Sequence, residues 1–163
     1  HVPLERYEDN LRFLVRQALS RKIPVILIGP APFDEYSAGS NDRSTMDNCA
    51  YSETARHVAE EIGVPFIDLW HGFLESKGWK EGQPIIGKTG EATDQNLRDL
   101  LTDGVHFSGK AYRLWYDFLL RTIRDKYPEL RMENLPTVLP HIFDIDNSNL
   151  PDSLWQEVKV KGR

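Results

Sequence analysis

The segment IPVILIGP, residues 23–30, places the tightest constraint on what this chain can fold into. It is a continuous apolar run rich in β-branched residues and ended by Gly-Pro. Such a run marks a strand buried on both faces, as in a parallel sheet. A second run, GVPFIDLW at 63–70, reads the same way. Parallel strands need a crossover of a dozen or more residues. The segment between the two runs can supply it: a polar loop, APFDEYSAGSNDRS, then a helix expected over about 46–62 with Ala50, Ala55, Val58, Ala59 and Ile62 inward.

Other segments carry helical periodicity. Residues 3–20 open on Pro3, which suits a first helical position, and repeat Tyr7, Leu11, Leu14, Val15 and Ala18 along one face. HGFLESKG reads as a short helix, and a further short helix is expected from Gln95 to Leu101. Residues 78–92, with four glycines and Pro84, read as loop. Ser108 is a reasonable N-cap for a final helix whose apolar stripe is Ala111, Leu114, Trp115, Phe118, Leu119 and Ile123.

Helices separated by short buried strands imply a parallel α/β sheet. Two strands are too few for one, so the chain is expected to supply half of a doubly wound domain. Its first helix would pack on strands outside the chain, leaving an exposed sheet edge and an uncovered apolar helix face. Residues 1–127 are read as the C-terminal portion of that single domain. Residues 128–163, with Pro128, Pro136, Pro140 and Pro151, are read as a tail packed on it, with a helical turn near Leu154.

A formal charge of -5 argues against a nucleic-acid surface, which normally carries a basic patch. No apolar run approaches the ~20 residues of a spanning helix. The single cysteine, Cys49, excludes an internal disulfide framework and a multi-cysteine zinc site, and no Asn-x-Ser/Thr sequon is present. These features point to a cytoplasmic setting. The chain opens on His1 with no signal peptide, and residues upstream are expected.

Asp103 and His106 lie three residues apart in a glycine-containing loop before the last helix. A histidine can take a proton from a hydroxyl nucleophile and return it to a leaving group, while a carboxylate on its other nitrogen fixes the tautomer. The spacing alone does not select this pair, because Asp68 and His71 share it. At the end of a strand, Asp68 reads instead as a cap for the following helix and His71 as a surface residue. GQPIIGKT, 82–89, fits the phosphate-cradling pattern Gly-x-x-x-x-Gly-Lys-Thr, but no strand precedes it and Gly90 follows it, so a surface loop is the better reading. Asp34 and Glu35 follow the first strand, where ligands can bind, but read more simply as an acidic solvated loop. The histidines show no zinc-binding spacing, and there is no Gly-x-Ser-x-Gly elbow.

The run Asp103-Gly-Val-His106-Phe-Ser-Gly-Lys-Ala-Tyr112 resembles the last block of the SGNH, or GDSL-type, ester hydrolases. HVPLERYEDNLRFLV, VILIGPAPFDE, FIDLW and ENLPTVLPH are similar, in order, to segments of the isoamyl acetate-hydrolysing branch. The resemblance implies a three-layer α/β/α fold with a parallel, flavodoxin-like sheet whose N-terminal strands are missing from this chain. It implies serine-dependent ester hydrolysis with His106 as base and Asp103 as its orienter, and no cofactor or metal. Pro30, Pro32, Phe33 and Val105 would line the substrate pocket. A small-molecule ester is the implied partner, and the chain is a candidate homo-oligomer. The family's serine, glycine and asparagine precede the helix with which this chain opens, and Asn10 lies inside that helix, so it does not substitute. The chain alone would then be inactive. The alternative is a truncated, non-catalytic relative that serves as a binding or interaction module.

Overall fold

The computed structural model describes residues 2–38, 43–91, 93, 95–135, 142–150 and 153. The chain forms two compact units, residues 1–122 and 123–163. The first unit is built around a parallel strand pair, β1 (Leu27–Ile28) and β2 (Phe66–Ile67), in register Leu27 to Phe66 and Ile28 to Ile67. Helix α1 (Leu4–Ser20) precedes the pair, and α2 (Thr45–Ile62) makes the crossover and contacts both strands. Helix α3 (Leu69–Ser76) follows β2, and residues 109–122 of α4 (Gly109–Lys126) close the unit. This is the α/β class and parallel topology expected from the alternating pattern.

The strands are shorter than the apolar runs that announced them. Only two residues of each run pair in the sheet. Ile28 and Ile23 are exposed and Leu27 is half-buried, so the first run is not buried on both faces. The physical reason is pairing: among the described residues β1 has a strand neighbour on one side only. The second run ends early because Asp68 caps α3 by accepting the His71 N–H at 3.0 Å, which turns Leu69 and Trp70 into the first turn of a helix.

Helix α1 lies along α2. Val15 is buried there, the Tyr7 and Tyr51 rings meet edge-on at 4.9 Å, and Arg12 bonds Glu61 at 2.7 Å as well as Glu8. Leu14 was expected inward, but it is 60% exposed beside Phe13 at 62%. Packing against a single helix covers only a narrow part of the apolar face. Pro3 stands at the N-cap position, one residue earlier than expected. On α2 the inward residues are Ala55, Val58 and Ala59 together with the polar Thr45 and Ser52, whereas Ala50 and Ile62 are half-buried.

The core cluster joins α3, the glycine-containing loop 78–92, the turn at 97–101 and the start of α4 through Trp70, Phe73, Leu74, Trp79, Ile86, Leu97, Leu101 and Ala111. Leu114, Trp115, Phe118 and Leu119 of the predicted α4 stripe pack against it. No helix forms over 95–101. A single turn closes there instead, with the Leu100 and Leu101 N–H groups both donating to the Leu97 carbonyl. Leu97, Leu100 and Leu101 are fully buried, so burial rather than helical propensity fixes this segment.

In the second unit, Pro128–Leu130, Met132–Asn134 and Ile142–Asp144 form 3₁₀ turns. The Asn134 amide donates to the Pro128 carbonyl at 2.7 Å, and Arg131 donates to the Arg124 carbonyl at 3.0 Å. The turn expected near Leu154 lies outside the described residues.

Gly29, at the end of β1, is required by close approach. A Cβ there would lie 2.1 Å from Ser52 Oγ and 2.8 Å from the Phe66 ring, and Ser52 Oγ is buried without a hydrogen-bond partner. Gly29→Ala is expected to cost about 1–3 kcal/mol in denaturant unfolding. The cost should be smaller in a Ser52→Ala background, where the nearest clashing atom is gone. Equal costs in the two backgrounds would show that the contact does not control the packing of α2 on β1.

Candidate functional site

Residues 100–108 form a tight hairpin. Leu101 and Phe107 make an antiparallel bridge, the Thr102 N–H donates to the His106 carbonyl at 2.9 Å, and the Ser108 N–H donates to the Leu100 carbonyl at 2.8 Å. Buried Leu100 and Leu101 anchor its base, and the Phe107 ring packs 5.1 Å from Phe73. The Ser108 hydroxyl donates to the Asp99 carbonyl at 2.6 Å and accepts the Ala111 N–H, so it fastens the hairpin to the first turn of α4. Apolar residues hold the base of the hairpin and polar residues occupy its tip.

That tip is the Asp103–His106 pair. One Asp103 oxygen accepts the N–H groups of Val105 at 3.1 Å and His106 at 2.8 Å, and the other lies 2.7 Å from His106 Nδ1. The His106 N–H, then its ring, then the Val105 N–H hold the Asp103 carboxyl well below the usual carboxylate range. An ionised carboxylate only accepts, so it selects the neutral tautomer with the proton on Nδ1 and leaves Nε2 as the basic nitrogen. The side chains are 79% exposed for His106 and 55% for Asp103. Among the described residues no hydroxyl or thiol hydrogen-bonds to Nε2.

Asp68 and His71 reproduce this geometry. Asp68 accepts the His71 N–H at 3.0 Å and contacts Nδ1 at 2.8 Å. Their surroundings differ. The Arg56 guanidinium bonds Asp68, lies 3.1 Å from Glu53, and sits 3.3 Å from His71 Nδ1. The His71 ring packs edge-on to Trp70 at 4.7 Å, and its side chain is only 28% exposed. This pair is therefore a helix cap locked by a cation and an aromatic wall, and His71 is less of a surface residue than its position suggested.

Two cavities follow the two pairs. A cavity of about 670 Å³ lies beside Asp68, His71, Arg56, Phe66, Phe118 and Arg121. A smaller one of about 330 Å³ lies beside the hairpin. Val105 and Phe107, the neighbours of His106, line the smaller cavity with Pro32, Phe33, Asn48 and Tyr51. Volume favours the first, but the accessible histidine adjoins the second. Of the pocket residues expected from the sequence, Pro32, Phe33 and Val105 line that cavity and half-buried Pro30 does not.

Two groups of side chains have the make-up of a cation site, Glu8–His57–Glu61 and Glu53–Asp68–His71, each with ligand atoms within 4.8 Å of one another. Spacing along the sequence missed both because they are assembled from separate elements. An arginine already satisfies each: Arg12 bonds Glu8 and Glu61, and Arg56 bonds Glu53 and Asp68. A second cation there would meet the guanidinium charge. Burial, then the Glu53 and Asp68 charges, push the Cys49 thiol up against the opposing pull of Arg56, which disfavours the thiolate a nucleophile needs.

The acidic residues after β1 are not a solvated loop. Asp34 is fully buried, and its carboxylate accepts the Tyr36 N–H at 3.2 Å and the Ser37 hydroxyl at 2.8 Å. Half-buried Glu35 accepts the Thr45 N–H at 2.9 Å and, from Thr89, the N–H at 2.8 Å and the hydroxyl at 2.6 Å. Burial works against its ionisation, yet the Thr89 and Thr45 bonds and the nearby Lys88 charge outweigh it and keep its pKa below the ordinary value. These contacts also close the phosphate-loop reading of residues 82–89. The Thr89 donors are spent on a carboxylate, Lys88 pairs with Glu91 at 2.8 Å, and turns rather than a strand and a helix flank the loop. No helix among the described residues is long and apolar enough to cross a membrane.

Residues 1–114 match the model of the GDSL-like lipase/acylhydrolase family. The isoamyl acetate-hydrolyzing esterase of Saccharomyces cerevisiae is 34% identical over 160 residues, covering 91% of this chain and 60% of its own length. The human isoamyl acetate-hydrolyzing esterase 1 homolog is 27% identical, with coverages of 89% and 54%. Among solved structures, an acetylxylan esterase from Geobacillus stearothermophilus superposes with a TM-score of 0.56 at 24% identity, over 76% of this chain and 48% of the other. A lipase/acylhydrolase from Enterococcus faecalis gives 0.57 at 21% identity, over 77% and 54%. The chain thus spans about half to three-fifths of these relatives' length. With the α/β fold, the family match and the yeast relative all in agreement, the chain belongs to the GDSL-like lipase/acylhydrolase family.

Proposed function

We propose that this chain carries the general base of a serine-dependent ester hydrolase, with His106 as the base and Asp103 as the residue that orients it. The observation that carries the proposal is the pairing at the hairpin tip: an ionised carboxylate on Nδ1 and an exposed, basic Nε2 beside a cavity. In such chemistry Nε2 takes the proton from a serine hydroxyl as the oxygen attacks the ester carbonyl. The imidazolium, steadied by Asp103, then protonates the departing alkoxide. Water attacks the acyl-enzyme by the same proton route and releases the acid.

The nucleophile and the oxyanion donors come, in this proposal, from a segment of polypeptide outside residues 1–163. The reading is supported by the family relatives, which are longer than this chain, and by the exposed apolar residues Phe13, Leu14 and Ile23, which fit a face that further structure covers. The cavity beside the hairpin, at about 330 Å³, suits a small ester, in line with the yeast relative named for isoamyl acetate.

Residues 1–163 expressed alone are expected to show no hydrolysis of p-nitrophenyl acetate and no labelling by a fluorophosphonate. The same residues within a polypeptide of the relatives' length should be labelled, and His106→Ala should remove the labelling. Hydrolysis by the 163-residue chain that disappears in His106→Ala would overturn the division of the machinery.

Asp103→Asn leaves an acceptor for the backbone N–H groups but offers the ring no negative charge. In the longer polypeptide kcat is expected to fall by roughly two to four orders of magnitude. The sign of the pH dependence follows from the depressed Asp103 value. Its contribution is fully present above the ordinary carboxylate pKa of about 3.9 and is lost only as pH falls through the lower folded value. The profile of kcat/KM between about pH 5 and 9 should therefore contain no limb that Asp103→Asn removes.

A further inference from the structure

We propose that Glu35 is a positioning residue for the His106 hairpin, acting through the backbone of Asp34. The Asp34 N–H donates to the Gly104 carbonyl at 3.0 Å. Among the described residues this is the one backbone hydrogen bond that reaches the tip of the hairpin from another part of the chain; the others close the hairpin on itself. The approach is tight. Gly104 has φ +87°, and a Cβ on it would lie 2.6 Å from the Asp34 carbonyl oxygen and 3.0 Å from Ala38. The position of Asp34 therefore fixes where residues 103–106 stand.

Glu35 fixes Asp34. Its N–H donates to the Gly87 carbonyl at 2.8 Å, and its carboxylate bridges the first N–H of α2, at Thr45, to the N–H and hydroxyl of Thr89. One side chain thus ties the start of a helix to the glycine loop, and the turn between them carries the contact to the base. Charge-assisted bonds of this kind are stronger than neutral ones. A base within an exposed hairpin needs such bracing, because modest misplacement of a catalytic group costs large factors in rate.

The test uses the two histidine pairs in one molecule. His71 has the same bonds to Asp68 as His106 has to Asp103 and forms no hydrogen bond to the Glu35 clamp, meeting it only through the Trp70 ring, whose N–H donates to the Thr45 carbonyl, so it serves as the internal control. Ring-nitrogen NMR of residues 1–163 above neutral pH reports the balance of Nδ1–H and Nε2–H tautomers for each ring. In Glu35→Ala the His106 balance is expected to move at least about twofold towards Nε2–H, with His71 unchanged. Glu35→Gln, which keeps one acceptor oxygen, should restore part of the original balance. Thr89→Val, which removes only the hydroxyl bond, should move His106 the same way by less, and it stands in for Glu35→Ala if that variant fails to fold.

A lowered melting temperature with both histidines unmoved in Glu35→Ala or Thr89→Val would overturn the proposal and leave Glu35 a structural residue. Equal movement of both rings would overturn it too. The inference rests on His106 being the base only for its catalytic consequence. In a polypeptide of the relatives' length, Glu35→Ala should lower kcat more than it changes KM. If His106→Ala there kept full activity while the tautomer shift was present, the base assignment would fail and the positioning of the hairpin would stand.

Discussion

The bond from the Asp34 N–H to the Gly104 carbonyl joins the loop after the first strand to the hairpin before the last helix, segments far apart in the chain. The geometry of the site depends on it. On one side, Glu35 anchors the loop to the start of α2 and to the glycine loop. On the other, buried Leu100 and Leu101 and the Phe73–Phe107 contact anchor the hairpin. Gly104 permits the contact because its backbone adopts a positive φ and presents no side chain to the Asp34 carbonyl. Between these anchors, Val105, Phe107 and the Pro32–Phe33 segment face a common cavity.

A carboxylate three residues before a histidine folds on itself in the same way twice in this molecule. In both cases one oxygen caps the backbone N–H and the other meets the ring nitrogen. That geometry is a local turn and by itself does not tell a catalytic pair from a helix cap. The neighbours do. Arg56, Glu53 and Trp70 crowd His71, whereas the His106 ring projects from a hairpin tip. A base must be reachable by a substrate, and an arginine already bonded to its partner carboxylate competes for the charge that would steady the imidazolium.

Much of the architecture is legible in the sequence. The alternation of apolar runs with helical periodicity predicted a parallel α/β arrangement, and the stripe from Ala111 to Ile123 predicted α4. The extent of the strands was not legible. Hydrophobicity extends over all of IPVILIGP, but a strand is defined by hydrogen bonds to a neighbour, and only Leu27–Ile28 make them. The outward turn of Leu14 was hidden for a similar reason, since periodicity shows that a helix has an apolar face and says nothing of what covers it. Gln95–Leu101 misled in the opposite sense: three buried leucines held by one turn imitate the spacing of a helix.

The sequence by itself determined what short-range bonds determine. Ser44, Asp68 and Ser108 cap helices from within a few residues, and one turn brings Asp103 within reach of His106. Tertiary structure decided the rest. It took Asp34 and Glu35, which read as a solvated acidic loop, and made them a brace in which Asp34 is buried and Glu35 half-buried. It filled two would-be cation sites with arginines, and it half-buried one histidine pair while leaving the other open. Each of those outcomes depends on groups brought together from separate elements, and the free energy that joins them comes from burial and long-range hydrogen bonds that local spacing does not encode.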